Sequence, residues 1–131
     1  MSTPNVSPLN ATYSGISFPP RKGAGYGFFD ISCNEDVIRE SIHVILNTQK
    51  GSVPMNYEFG NSAYDLLFEP VNDVTQGLVA DHIKKDIETW EPRVSVTGIK
   101  AFSFDNTRVF DLTLVIKSTG QLITNTVSFS V

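Results

Sequence analysis

The chain has 131 residues, of which 40% are hydrophobic, and a formal net charge of −4. This size fits one compact domain, and the apolar content argues against a wholly disordered chain; without a basic face, a nucleic-acid module is not expected. No stretch approaches the roughly 18 apolar residues of a membrane span, and the first residues lack the order of a secretion signal. The single cysteine, Cys33, cannot form an internal disulfide, so we expect a protein of a reducing compartment.

Residues 1–22 are predicted to form an extended, Ser/Pro-rich arm, and residues 23–131 a single domain. Four of the seven prolines lie in the first twenty residues, and proline fixes φ and removes a backbone donor. Such an arm is either disordered or becomes ordered against a partner. Three glycines follow, at positions 23, 25 and 27. They do not run directly into a helix, and the Walker ending is absent, so they favour a connector or a bulged strand over a phosphate loop.

The next segments show helical periodicity. Ser32 and Glu35 have capping-box spacing, and apolar residues at helical spacing then predict a first helix: Val37, Ile38, Ile42, Ile45 and Leu46. A short second helix is predicted between Asn61, which can cap it, and the break at Glu69-Pro70.

A third, longer helix is predicted to start at Asn72 or Asp73, since either residue can cap it. Its apolar face consists of five residues at helical spacing: Val74, Leu78, Ile83, Ile87 and Trp90. Gly77 interrupts this helix and weakens it by up to about 1 kcal/mol relative to alanine.

After Pro92 the apolar period changes from helical to two. The alternating residues fall into three runs, which are Phe102 and Phe104; Phe110, Leu112, Leu114 and Ile116; and Ile123, Val127, Phe129 and Val131. This pattern predicts a three-strand antiparallel meander with one apolar face. Because the helices must cover that face, we expect an α+β domain with two or three helices packed on one face of a small, mainly antiparallel sheet. The last strand, residues 122–131, is either a short, tolerated edge or an edge whose backbone receives another chain.

The segment Trp90-Glu91-Pro92-Arg93 joins the third helix to the first long strand. Pro92 ends the helix, and a carboxylate at the negative end of the helix dipole costs roughly 0.3–1 kcal/mol. Arg93 is the compensating charge. Two interpretations stay open: a local strut with Trp90 as core filler, or a rigid, charged platform for a partner.

Three motifs occur in order along the chain: "NTQKGSVPMNYEFG", "LLFEP" and "WEPRV". Together they resemble the baseplate wedge, or sheath-initiator, family of contractile phage tails, which includes the small baseplate subunit of type VI secretion systems. The resemblance covers about residues 36–116. Two positions depart from the family pattern: Val53 replaces a frequently basic residue and Tyr57 a proline.

The resemblance implies where each motif acts. Trp90, Glu91, Pro92 and Arg93 would dock neighbouring wedge proteins and tube-proximal baseplate proteins. A second set would shape structural loops: Gly51, Pro54, Phe59, Gly60, Phe68, Glu69 and Pro70. The protein would lie in the virion tail baseplate and be assembled in the host bacterial cytoplasm.

Combined with the predicted edge strand, the resemblance suggests a function in tail assembly. We hypothesise that the first ring of the tail sheath protein pairs its own strands with the last strand of this chain. The residues assigned to this strand addition alternate along it: Ile123, Asn125, Val127, Phe129 and Val131. No cofactor, metal, nucleic acid or membrane partner is expected.

The alternative function is a peptidoglycan-degrading, lysozyme-like hydrolase, because the family has carried that label. Glycoside hydrolysis needs two carboxyl groups roughly 5–9.5 Å apart. Glu69 and Glu91 are separated by the third helix and stay more than about 13 Å apart at backbone level, and no pattern selects another acidic pair. A third possibility is an adaptor that binds through its helix faces. His43 and His82 lie on different predicted helices, without the spacing of metal ligands.

Overall fold

The computed structural model of the protein describes residues 12–23 and 29–130. Residues 1–11 of the predicted arm, the glycines at 25 and 27, and Val131 lie outside the described residues. The elements in chain order are β1 (Ser14–Ile16), β2 (Ile31–Cys33), α1 (Glu35–Asn47), a 3-10 helix (Ser62–Phe68), α2 (Asp73–Trp90), β3 (Val94–Phe104), β4 (Thr107–Ile116) and β5 (Leu122–Ser130). No helix in the described part of the chain is long and apolar enough to cross a membrane.

The chain forms two compact units, Met1–Ser41 and Ile42–Val131. In the first unit β1 pairs antiparallel with β2, with Gly15 opposite Ser32. The predicted capping box is wrong, because α1 begins only at Glu35 and the Ser32 hydroxyl donates to the Glu40 carboxylate at 2.8 Å. Strand pairing with a distant segment takes Ser32 out of the capping position, and local spacing cannot reveal that pairing. The division into an arm and a domain stays a prediction.

The second unit contains the predicted meander, with the strand order β3-β4-β5 and antiparallel pairing throughout. The α+β class is thereby confirmed. The alternating residues of β4 and β5 are all at most 7% exposed and form the sheet side of the core: Phe110, Leu112, Leu114, Ile116, Ile123, Val127 and Phe129. The helices contribute further buried aliphatic residues to this unit: Ile42, Ile45, Leu46, Leu67, Val79, Ile83 and Ile87.

Part-way along β3, a bulge changes which side chains face the core. The register of the strand slips between Val96 and Gly98, so that Thr97 is an extra, bulged residue. A one-residue slip moves every later side chain to the opposite face of the sheet. Phe102 and Phe104 are therefore 44% and 69% exposed, and their predicted place on the apolar face is wrong.

Helix α2 begins as predicted, because the side chain of Asn72 accepts a hydrogen bond from Thr75 N at 2.7 Å. The predicted apolar face is wrong at its first two positions, since Val74 is 73% and Leu78 47% exposed. The core side of this end is formed by Thr75 and Val79 instead. Each is one residue further along, which is a rotation of about 100° around the helix axis.

Candidate docking site

The corner after α2 is a closed ion pair. The backbone N–H of Glu91 still donates to Ile87 O at 2.7 Å, and Pro92 then stops the helix. Arg93 donates from Nε to Glu91 Oε1 at 2.5 Å and from Nη2 to Oε2 at 2.6 Å. The carboxylate side chain is 3% and the arginine side chain 30% exposed. This fork is the strut geometry that planar guanidinium and carboxylate groups favour.

The strut also ties the corner to the sheet. The carbonyl of Arg93 accepts a hydrogen bond from Lys117 N at 2.9 Å, just beyond the end of β4. Both oxygens of Glu91 are engaged by Arg93 and the side chain is buried. General acid or base catalysis needs a carboxyl group within reach of a substrate proton, so this arrangement supports a structural role for Glu91.

Two of the three motifs meet at this corner. The Phe59 and Trp90 rings lie edge to face, with centroids 5.1 Å apart and an interplanar angle of 69°. Aromatic pairs in this geometry stabilise a contact by about 0.5–1.5 kcal/mol beyond the buried area. The sequence marks both residues but not their contact, because no local pattern links positions this far apart.

The loop that carries Phe59 is shaped by glycine at two positions. Gly51 has φ +89°, and Gly60 has φ +115° with a hypothetical Cβ only 2.5 Å from the carbonyl oxygen of Thr48. A side chain at position 60 would therefore clash with backbone as well as adopt a rare conformation. The loop closes through Asn61 N to Thr48 O at 2.8 Å. Its outer part is exposed, including Pro54 and Met55.

A surface ion pair crosses the same loop. Lys50 Nζ lies 2.9 Å from Glu58 Oε2. The hydrogen bond and positive charge of Lys50 lower the pKa of Glu58, and Glu58 in turn raises the pKa of Lys50. Both groups are exposed, so salt screens the attraction.

The remaining loop residues, Phe68, Glu69 and Pro70, lie at the opposite end of α2 and are exposed. Eighteen helical residues separate the two ends, which is about 27 Å. The structure therefore brings Phe59 and Gly60 to the Trp90 corner but not Phe68 to Pro70.

A buried arginine, missed in the sequence, holds this second end. Arg108 is 4% exposed and donates from Nη1 to Leu66 O at 3.2 Å and from Nη2 to Glu69 O. A cation at the carboxyl end of a helical segment interacts favourably with its carbonyls. The available signal is its position in β4, because Arg108 falls in the same alternating phase as Phe110 and Leu112.

The two sheet edges differ. On β3 the Val96 N–H, which faces away from β4, donates to Glu88 Oε1 at 3.2 Å, and the bulge follows immediately. On β5 no strand pairs with the outer edge among the described residues. Bulges and side chains that take up backbone groups close an edge against further pairing.

The register shows which groups of β5 face outward. The carbonyl of Thr113 accepts from Thr97 Oγ1 and therefore faces β3, while Ile116 N donates to Gln121 O towards β5. Because N–H and C=O groups alternate sides along a strand, the partner of Thr113, Thr124, presents its backbone outward. The same applies to the β5 residues in phase with it: Leu122, Thr126 and Ser128. The residues assigned to strand addition, Ile123, Asn125, Val127 and Phe129, direct their backbone groups to β4.

A polar cluster joins α2 to the 3-10 helix. Asp86 Oδ2 accepts from Ser62 N and Ser62 Oγ, both at 2.7 Å, and Ser62 Oγ lies 2.9 Å from His82 Nδ1. A serine hydrolase needs the carboxylate on the histidine, which then activates the serine. Here the carboxylate holds the serine, so the cluster fixes the start of the 3-10 helix.

These features define a class: a small α+β protein with an ion-paired corner after α2, a loop shaped by Gly51 and Gly60, and an outer edge of β5 that no strand pairs with among the described residues. The family model described as baseplate wedge protein gp25 matches residues 33–125. The chain therefore belongs to the gp25 baseplate wedge family. The baseplate wedge protein gp25 of Enterobacteria phage T4 is 30% identical over 88 residues, which are 67% of this chain and 64% of that protein. The match thus spans just under two thirds of the length of this relative.

Solved structures share the fold. A protein from Geobacter sulfurreducens, named as a candidate tail lysozyme, is 28% identical with a TM-score of 0.72, covering 76% of this chain and 93% of that chain. A chain of the anti-feeding prophage baseplate has a TM-score of 0.64 at 18% identity, covering 90% and 85%. A chain of the postcontracted pyocin R2 baseplate has a TM-score of 0.54 at 18% identity, covering 82% and 96%. The predicted membership of the baseplate wedge family is confirmed.

Proposed function

We propose that this chain is a structural, non-enzymatic wedge subunit that nucleates the tail sheath. It would sit in the virion tail baseplate, after assembly in the host bacterial cytoplasm, and contact wedge proteins, tube-proximal proteins and the sheath protein. The observation that carries the proposal is the contrast between the edges of the sheet. On β3, the outward Val96 N–H is taken up by Glu88 and a bulge follows it, whereas the pairing of β5 with β4 runs without a bulge; among the described residues no strand pairs with the outer side of either.

In this mechanism an extended segment of the first sheath subunits adds a strand beside β5. Backbone hydrogen bonds to Leu122, Thr124, Thr126 and Ser128 would supply affinity. On the core face of the sheet, the added strand would extend the apolar surface formed by Val127 and Phe129. Every second residue of the added strand therefore needs to be apolar. Register would follow from this alternation, because a slip of one residue exposes the apolar set.

The Trp90–Arg93 corner would hold the subunit in the wedge. Its ion pair is already closed and Trp90 already packs on Phe59, so docking would order few side chains. A surface of fixed shape loses less conformational entropy on binding. Pro92 is exposed at this corner, but it also ends α2, so a variant at this position tests docking only when its free energy of unfolding equals that of the wild type.

The lysozyme-like alternative has less support. The name of the Geobacter protein favours it, but Glu91 is buried and bound by Arg93, and Glu69 lies at the far end of α2. A pair of convergent carboxyl groups at hydrolase spacing would be needed. Release of dye from labelled peptidoglycan by the purified chain would favour the hydrolase over the scaffold.

Deletion of residues 122–131 is a poor test of nucleation, because it removes Ile123, Val127 and Phe129 from the core. We would compare Thr124→Pro with Thr124→Ala instead. Proline removes the outward N–H and is tolerated on edge strands, whereas alanine keeps it. The cognate sheath protein, held below its own assembly threshold with a partial baseplate, is followed by sedimentation and negative-stain microscopy.

We expect Thr124→Ala to nucleate short sheath rings and Thr124→Pro to fail, with both proteins still folded. If Thr124→Pro does not fold, Thr126→Pro replaces it, since Thr126 has the same outward phase. Normal nucleation by a folded proline variant shows that β5 is not the receiving edge. Pro92→Gln is then measured for wedge binding, where unchanged affinity excludes the corner as the docking surface.

A further inference from the structure

The amino-terminal end of α2 carries an exposed apolar face. Four large apolar residues lie close together along the chain and are strongly exposed: Phe68 (81%), Val71 (51%), Val74 (73%) and Leu78 (47%). Within the helix, Val74, Gly77, Leu78 and Asp81 have the spacing i, i+3, i+4 and i+7, which places them on one face. Phe68 and Val71 immediately precede this face. Together these six residues are called the α2 face below.

Among the described residues, no close contact requires a glycine at position 77. A Cβ added at this position meets no atom within 4 Å, and its φ lies outside the range that favours glycine. Alanine would make the helix more stable there. With glycine at this position, no side chain stands between Val74 and Leu78 on the outer face of the helix. Helices pack at axis distances of about 8–10 Å, set by the side chains at the contact.

The surroundings of the α2 face are negatively charged. Between Asp65 and Asp81 the sequence contains four acidic residues and no lysine or arginine. All four are exposed: Asp65, Glu69, Asp73 and Asp81. Asp65 stands one 3-10 turn before Phe68 and so on the same side of that helix. The nearby Arg108 is buried and donates to the carbonyls of Leu66 and Glu69. Lys84 and Lys85 follow Asp81 at i+3 and i+4 and offset its charge, so the negative charge is concentrated at the amino end of the face, around Asp65, Glu69 and Asp73.

We propose that the α2 face binds an amphipathic helix of another polypeptide, with an apolar ridge flanked by lysine or arginine. The ridge would lie over Gly77 between Val74 and Leu78, and the basic side chains would meet Asp73 and Glu69 at the amino end of α2. Complementary charge selects such a partner over an acidic helix. This is a third contact surface, because it lies at the end of α2 opposite the Trp90 corner and consists of helix side chains rather than of the backbone groups of β5. It does not depend on sheath nucleation.

The probes are two synthetic 18-residue helical peptides with the same leucine stripe at i, i+3, i+4 and i+7. One carries lysine at the remaining positions and the other glutamate. Each is titrated into the isotopically labelled full chain at moderate salt, and amide shifts are followed by NMR. The lysine peptide is expected to shift the amides of residues 71–81 saturably, and the glutamate peptide to bind at least about tenfold more weakly.

The melting temperature and the peptide affinity of Gly77→Ala together distinguish a binding face from an ordinary helix surface. Its melting temperature should rise by a few degrees, because alanine is the better helix former and its Cβ meets open space. Its affinity for the lysine peptide should nevertheless fall by about tenfold, since the ridge can no longer approach. Val74→Ser should also weaken binding. Phe104→Ser, a matched change at an exposed phenylalanine on the sheet, should leave binding unchanged.

Four results would overturn the proposal. One is a lysine-peptide response that is spread over other acidic surfaces, and a second is equal affinity of wild type and Gly77→Ala. Another is the absence of saturable binding by either peptide. The last is concentration-dependent self-association in sedimentation that Val74→Ser abolishes, because the occupant would then be a second copy of the chain. None of these results changes the outcome expected for Thr124→Pro. The sheath-nucleation proposal is therefore tested independently of the α2 face.

Discussion

The two ends of α2 differ in how far the chain itself binds or covers their side chains. At the carboxyl end, Trp90 packs on Phe59 and the Glu91 carboxylate is taken by Arg93. At the amino end, Asn72 caps the helix, but Val74 and Leu78 remain in contact with solvent. The first end is completed by the chain itself, whereas the second leaves apolar surface uncovered. A motif marked by unusual residues can therefore be an internal strut, while a less unusual stretch offers the free surface.

The largest effect is expected from breaking the strut. Arg93→Ala removes the guanidinium that binds both oxygens of the buried Glu91 carboxylate, which should lower the free energy of unfolding by roughly 3–5 kcal/mol. Glu91→Ala should cost less, because the freed arginine side chain is 30% exposed and can turn to water. Urea denaturation of both single variants and the double variant measures the coupling. Trp90 is the single tryptophan, so its fluorescence reports on this corner directly.

A small and equal loss in both single variants would contradict the strut. The corner would then be held mainly by its backbone hydrogen bonds and by the Trp90–Phe59 contact, with little contribution from the ion pair. Wedge-binding assays on Arg93→Ala are informative only in that case, since otherwise loss of stability and loss of docking coincide.

A smaller effect is expected at the other end of α2. Arg108→Met keeps the length of the buried stem but leaves the carbonyls of Leu66 and Glu69 without their donor, which should cost about 1–3 kcal/mol. Hydrogen exchange should quicken across residues 62–70, while Trp90 fluorescence stays as in the wild type. If hydrogen exchange quickens equally at both ends of α2, the two ends unfold as one cooperative unit and do not differ in local stability.

The smallest effect concerns the surface pair of the loop. Because Lys50 lowers the pKa of Glu58 below its ordinary 4.5, the pair stabilises the folded state above that pH and loses its contribution as the pH falls through the folded pKa. At the alkaline end, the raised pKa of Lys50 means that the contribution is lost as the pH rises through that value. Wild type and Glu58→Gln are compared by urea denaturation from pH 3 to 7.

The difference between the two proteins should shrink towards pH 3 and also in high salt, since both groups are exposed. A difference that persists in acid would show that Glu58 acts through something other than its charge. The loop would then be held by its backbone bonds and by Gly60, as at Asn61 N to Thr48 O.

The sequence alone determined the elements whose cause is local. Asn61 and Asn72 begin the 3-10 helix and α2 because their side chains bond to nearby backbone, and the alternation of Phe110, Leu112 and Leu114 determines the core face of β4. Pro92 likewise predicts the end of α2, whereas the charges of Glu91 and Arg93 left two interpretations open, a local strut or a platform for a partner. The order of the three motifs was enough to indicate the family.

Tertiary structure decided everything that depends on contact between distant residues. The bulge at Thr97 turned Phe102 and Phe104 to solvent, and pairing with β1 removed Ser32 from its predicted capping role. Apolar periodicity shows that a residue suits a core, but which face is covered depends on what packs there; the exposure of Val74 and Leu78 follows from the orientation of α2 in the fold. The outward backbone groups of β5 follow from a register that only the folded sheet establishes.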